Sequence, residues 1–168
     1  MPGVGKSTVL DAVREISGQR ILKFEGIAPT ASAAKTLKES ANLENSSTIH
    51  RFLYQNIGYI EGRGTKASLQ EQRKIYKGKV IFVDEASLIP THIMHKLLSL
   101  QKKFDFKLIL TGDTKQLAAV EAGKPFEQIL QIIKPAIMNK IVRQKNLSHR
   151  KAVIAASQNR VDETFCYS

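Results

Sequence analysis

Apolar residues along the chain fall alternately into helical spacings and short continuous runs. Val9, Leu10, Val13 and Ile16 recur at helical spacing and predict a helix from Lys6 to about Ile16, ended by Gly18. Ile21–Ala28 reads as a strand stopped by Pro29, and Ala31–Ser40 as a helix. Ser46 and Ser47 are expected to cap a short helix carrying Ile49, Phe52 and Leu53. Gly58, Gly62 and Gly64 mark Asn56–Lys66 as a loop. Val80–Val83 is continuously apolar, the pattern of a strand buried on both faces. A helix with Pro near its start follows from Pro90 to about Leu100, then a second buried-type strand over Lys107–Leu110. Phe104 and Phe106, alternating around Asp105, are expected in the core. Pro125–Ile133 reads as a helix, Ala136–Val142 as a strand and His149–Ser157 as a helix. Strands alternating with helices predict an α/β fold, a mostly parallel sheet flanked by helices.

Composition narrows the class. A chain of 168 residues is about one domain, and 42% apolar residues suffice for a core, which disfavours intrinsic disorder. The single cysteine, Cys166, excludes an internal disulfide framework. No apolar run approaches the ~18 residues of a membrane span, and Met1-Pro2-Gly3-Val4 begins no signal peptide. The expected setting is soluble, reducing and cytoplasmic. The formal net charge of +11 concerns partners rather than fold. Residues 1–84 carry 13 basic and 8 acidic groups, so the excess is not a tail. It concentrates in Arg63–Lys79, with six basic groups and one acidic, and in Lys134–Lys151, with six and none. A polyanion such as nucleic acid is the indicated partner, with a merely soluble basic surface as the alternative.

Three segments carry candidate chemistry. Gly3-Val4-Gly5-Lys6-Ser7-Thr8 opens the first helix and matches the end of the phosphate-loop pattern G-x-x-x-x-G-K-[ST], whose first glycine would fall before Met1. Glycines there let successive backbone N–H groups point at phosphate oxygens, and the helix start adds partial positive charge. Lys6 would reach the β- and γ-phosphates, and Ser7 would ligate Mg²⁺. Val80–Val83 delivers two adjacent carboxylates to its C-terminal end, where ligands bind in open α/β sheets. Asp84 would hold Mg²⁺ and Glu85 would orient or deprotonate an attacking water. The alternative is a solvated acidic turn. Lys107–Leu110 ends in Thr111-Gly112-Asp113-Thr114-Lys115-Gln116, which would bring Gln116 beside the γ-phosphate. An ordinary Gly-Asp turn is the alternative, but three strand ends bearing Lys/Ser, Asp/Glu and Asp/Gln in that order argue against accident.

With these segments in hand, the sequence resembles superfamily 1B DNA helicases of the RecD type, and looks most like the helicase domain of conjugative relaxases (the TraI/TrwC group). Beyond Gly3–Thr8, the resemblance rests on Ala28-Pro29-Thr30 with Ala33-Ala34-Lys35, on Thr48-Ile49-His50, and on Asp84-Glu85-Ala86-Ser87. It continues through Gly112–Leu117 with Glu121-Ala122-Gly123-Lys124-Pro125-Phe126, and ends at Ile141-Val142-Arg143-Gln144. It implies a RecA-like P-loop NTPase lobe that binds ATP and Mg²⁺ and moves along single-stranded DNA. It implies that Pro29, Thr30, Thr48 and His50 line the DNA path, and that Arg143 contacts the γ-phosphate. Read on the residues alone, Ala28-Pro29-Thr30 is equally a strand stop and helix cap, His50 a core or capping histidine, and Arg143 plain surface.

The resemblance further implies that residues 1–142 form a first motor lobe, incomplete at its start, and that 143–168 begin a mostly absent second lobe of a larger parent chain. The family's strand before the phosphate loop, its last helicase motifs and the relaxase Tyr/His cluster have no counterpart here. Two other function classes stay open: a non-helicase P-loop ATPase or nucleotide kinase, and a non-catalytic nucleic-acid-binding remnant. His92 and His95, three apart on one helix, are expected on its surface rather than on a metal.

Overall fold

A computed structural model describes residues 13, 23–40, 43–113 and 123–137. Four strands form one sheet: β1 (Lys23–Ala28), β2 (Ser46–Thr48), β3 (Lys79–Val83) and β4 (Lys107–Leu110). They lie in the order β2-β1-β3-β4, and every pairing is parallel. The helices are α1 (Ala31–Ser40), α2 (Ile49–Gln55), α3 (Ile57–Ile60), α4 (Lys66–Tyr76), α5 (Thr91–Phe104) and α6 (Pro125–Ile132), with a 3₁₀ turn over Ala86–Leu88.

Parallel strands need crossover connections, and those helices cover both sheet faces. β3 shows the consequence, because alternate residues enter different cores. Ile81 and Val83 join Phe52, Met94, Leu97, Leu100, Phe104 and Phe106 on one side. Phe82 joins Ala34, Leu37 and Leu43 beneath α1 on the other. Phe104 and Phe106 are buried, as their alternation predicts. In this core Tyr76 stacks on Phe104 with centroids 5.0 Å apart. Burial first, then the Glu25 charge, pushes its phenol above the usual range, and a hydrogen bond with Asn56 opposes the shift. The architecture is the RecA-like α/β fold the sequence implies.

Two expectations are corrected, and one helix appears where none was expected. Ser46-Ser47 do not cap a helix: Ser46–Thr48 is strand β2, paired to β1 with Gly26 opposite Ser46, and the Thr48 side chain caps α2. The glycine-bearing stretch from Asn56 contains α3 before its loop. The basic segment beyond it forms α4, whose N-cap Thr65 accepts the Ser68 N–H at 3.1 Å. Residues 134–137 lie outside regular structure; the rest of the strand expected over Ala136–Val142, the last helix, and the first helix apart from Val13 lie outside the described residues.

Candidate functional site

Because the four strands are parallel, all of them end on one edge of the sheet. Ala28 lies beside Thr48, so Pro29-Thr30 and Thr48-Ile49-His50 leave that edge as neighbours. Val83 lies beside Ile27 on one side and Leu110 on the other, which brings Asp84-Glu85 next to Thr111-Gly112-Asp113. Four of the segments singled out in the sequence are thus gathered by topology alone. Gly3–Thr8, Gln116 and Arg143 lie outside the described residues.

The Asp84 carboxylate is tightly held. Its Oδ1 accepts the Glu85 backbone N–H at 2.9 Å and the Thr111 hydroxyl at 2.8 Å. Such bonds to a charged acceptor are stronger than neutral ones, and two on one oxygen fix the plane of the group. Thr111 is itself buried at the β3–β4 junction. Its N–H donates to the Val83 carbonyl and its own carbonyl accepts the Ala86 N–H, both at 2.8 Å. The sequence reading passed over Thr111. Its position just before Gly-Asp, at the end of the strand beside β3, was the available signal.

Glu85 adopts a left-handed backbone, φ 51° and ψ 39°. That conformation costs a residue with a Cβ about 1–2 kcal/mol, and such strain persists where the surroundings hold it and clusters at functional sites. Here the Glu85 N–H is bound to Asp84 and its carbonyl accepts the Leu88 N–H at 2.9 Å. The strain turns the chain from β3 into the 3₁₀ segment at the sheet edge.

Gly112 and the stretch Gly123–Phe126 pack close to this turn. A Cβ on Gly112 would stand 3.0 Å from both the Ser87 nitrogen and the Phe126 ring. Gly123 has φ +99°, and a Cβ there would meet the Thr91 hydroxyl at 2.0 Å. Pro125 and Phe126 are buried at the start of α6, and the Asp113 N–H reaches the Ser87 hydroxyl at 3.4 Å. Gly112 therefore allows close packing against Ser87 and Phe126, and Gly123 against Thr91 at the start of α5.

On the other half of the edge, Thr30 and Thr48 both act as helix caps. Thr30 Oγ1 accepts the Ala33 N–H at 3.1 Å, and Thr48 Oγ1 accepts the Arg51 N–H at 3.2 Å. His50 is exposed, so it is not a core histidine, and Thr48 rather than His50 makes the cap. Arg51 and Tyr54 share the exposed side of α2 with it, Tyr54 at 78% exposure. His92 and His95 are exposed on α5, and among the described residues no group of three or more His, Cys, Asp or Glu gathers to cage a metal.

This geometry suits one kind of cation. Mg²⁺ is commonly held by one or two carboxylates together with substrate phosphates and water, rather than by a protein cage. Asp84 alone, half-buried and fixed at the end of a central strand, fits that demand.

Known proteins are similar to this chain in sequence. The chain is 30% identical over 143 residues to the ATP-dependent RecD2 DNA helicase of Deinococcus radiodurans, which covers 85% of this chain and 19% of that one. It is 28% identical over 165 residues to the conjugal transfer protein TraA of Agrobacterium fabrum, covering 96% and 14%. An uncharacterized protein of Methanocaldococcus jannaschii matches at 32% over 138 residues, covering 76% and 12%. The chain thus spans less than a fifth of these relatives. The AAA domain family matches residues 1–167, a span that includes the all-parallel sheet and the loops at its C-terminal edge. The chain belongs to that family, as a helicase-like P-loop domain related to RecD helicases and TraA proteins.

Proposed function

We propose that this chain is the first motor lobe of an ATP-dependent DNA helicase or translocase, binding Mg-ATP and single-stranded DNA along the C-terminal edge of its sheet. Residues 1–142 form the lobe and 143–168 open the second. The supporting observation is the Asp84–Glu85 turn, held by Thr111 and strained at Glu85. Exposed Asp105 is left-handed as well, so the hydrogen bond from Thr111 to Asp84 carries the reading, a bond that a solvated acidic turn would not need.

Lys6 and the Gly3–Thr8 backbone hold the phosphates, and Ser7 and Asp84 hold Mg²⁺. When bound, Mg²⁺ neutralises charge on the phosphate oxygens. Glu85 orients the attacking water and accepts its proton. Gln116 and Arg143 contact the γ-phosphate. Thr111 fixes the plane of Asp84, tying the end of β4 to the metal ligand. Pro29, Thr30, Thr48 and His50 meet DNA on the neighbouring half of the edge. There the two threonines spend their hydroxyls on helix caps, which leaves His50 as the exposed polar ring.

The test is DNA-stimulated ATP hydrolysis by the chain and by Glu85→Gln. Removing a general base costs about 10²–10⁴ in rate, while affinity for an ATP analogue should stay constant. Unchanged turnover in the variant would end the assignment of Glu85. Nucleotide-independent DNA binding with no hydrolysis under any condition would favour the non-catalytic remnant.

A further inference from the structure

The basic stretch Arg63–Lys79 is the strongest charge feature among the described residues, and the fold carries its C-terminal part away from the site. Lys74 lies in the last turn of α4, Lys77 follows it, and Lys79 begins β3, at the N-terminal edge of the sheet. Register adds further lysines there. Lys23 at the start of β1 is opposite Lys79, and Lys107 at the start of β4 is opposite Val80. The last turn of α5 contributes Lys102 and Lys103.

These cations differ in how they are held. Lys79 is paired with Glu25 at 2.9 Å and lies over the Tyr76 ring. Lys103 donates to the Tyr59 carbonyl, and Arg73 donates to the Lys103 carbonyl at 2.8 Å. Lys23, Lys74, Lys77, Lys102 and Lys107 are exposed and make no ion pair among the described residues. Opposing charge at this edge comes from Glu25, paired with Lys79, from exposed Asp105, and from exposed Glu39 and Glu44 ahead of β2, of which Glu39 pairs with Lys35. Lys74, Lys77 and Lys102 stand at helix ends, where a cation also steadies the helix dipole. Lys23 and Lys107 begin strands and have no such duty.

We infer that this lysine edge is a second, sequence-independent nucleic-acid site, which takes the phosphate backbone of duplex DNA while the opposite edge serves the single strand. The register sets Lys23 on the sheet face of Lys79, the face that α4 and α5 cover, and Lys107 on the other face, so the free ammonium groups bracket this edge from both faces of the sheet, able to meet several phosphates. Ammonium groups on flexible stems suit backbone contacts, which carry no sequence information. A protein partner fits less well, since lysine is depleted in protein–protein interfaces, whose cores are apolar. Among the described residues, Ile75 is the one exposed large apolar side chain in the last turns of α4 and α5. The edges are separated by the length of the strands, about 3.3 Å per residue. A duplex is stiff over about 150 base pairs, so it cannot bend round the sheet to reach both edges. The lysine edge therefore engages its own segment of nucleic acid, and does so whether or not ATP binds opposite.

The test uses the whole chain without nucleotide, a labelled blunt duplex of 20 base pairs, and KCl as the variable. Lys23→Glu combined with Lys107→Glu should weaken duplex binding at least tenfold at low salt. It should also flatten the log K against log[salt] slope by about 2, at roughly 0.9 per lost phosphate contact. Affinity for a fluorescent ATP analogue should be unchanged, affinity for a short single strand should fall much less than for the duplex, and thermal melting will show that the double variant is folded. An unaltered duplex slope would overturn the inference. Loss of binding to a poly-glutamate peptide with duplex binding intact would overturn it too, and assign the edge to an acidic protein. Because single-strand and nucleotide binding are read separately, failure at the lysine edge leaves the motor reading standing, and the reverse.

Discussion

The two edges of the sheet are built from the same four strands and use polar side chains in opposite ways. At the C-terminal edge four polar side chains are committed to partners. Asp84 accepts two hydrogen bonds on one oxygen, Thr111 donates one of them, and Thr30 and Thr48 close helix ends. At the N-terminal edge Lys23, Lys77 and Lys107 are held by nothing among the described residues. Fixed groups are what transition-state chemistry needs, because reorganisation at the moment of reaction costs rate. Unheld cations are what backbone phosphates need, since their contacts are long-ranged and tolerant of position. The contrast implies that a change at the first edge should act sharply on one function, and a change at the second should act gradually and with salt.

Thr111→Val sharpens the first half of that contrast. It keeps the shape of a buried side chain and removes the donor to Asp84. A hydrogen bond to a charged group contributes about 1.5–3 kcal/mol, so the Mg²⁺ concentration giving half-maximal binding of an ATP analogue should rise about tenfold or more. Magnesium-free binding should not move, and Thr111→Ser should restore the wild-type Mg²⁺ response. An identical Mg²⁺ response in Thr111→Val would mean that Asp84 is not the metal ligand.

His50→Ala is the smaller effect. The ring is exposed, so its loss should leave the melting temperature within about a degree or two, as for surface substitutions worth roughly ±0.5 kcal/mol. Single-strand affinity should fall severalfold, with nucleotide affinity and duplex binding both unchanged. A fall in duplex binding of the same size would erase the distinction between the edges.

The fold's class and the placing of Asp84-Glu85 at a strand end were legible for one reason: Val80–Val83 and Lys107–Leu110 are uninterrupted apolar runs, each ending abruptly in polar residues. What was illegible is equally physical. Strand β2 is three residues of Ser and Thr at the edge of the sheet, and a Ser-Ser-Thr before an apolar helix looks the same as a cap. Helix α4 is mostly exposed and basic, with Leu69 and Tyr76 its main inward contacts, so its helical period is faint. Thr111 matters because β4 lies beside β3, and a register between two strands cannot be read from either alone. The charge of Arg63–Lys79 was plain in the sequence, but not that its C-terminal part faces away from the site.

The central claim is that the C-terminal edge is a Mg-nucleotide site completed by the Gly3–Thr8 loop. The most direct test is the affinity of a fluorescent ATP analogue in excess Mg²⁺, measured side by side for the chain and Lys6→Ala. Loss of a charge-assisted phosphate contact worth about 1.5–3 kcal/mol should lower affinity by one to two orders of magnitude. Equal affinity in the two proteins would contradict the account.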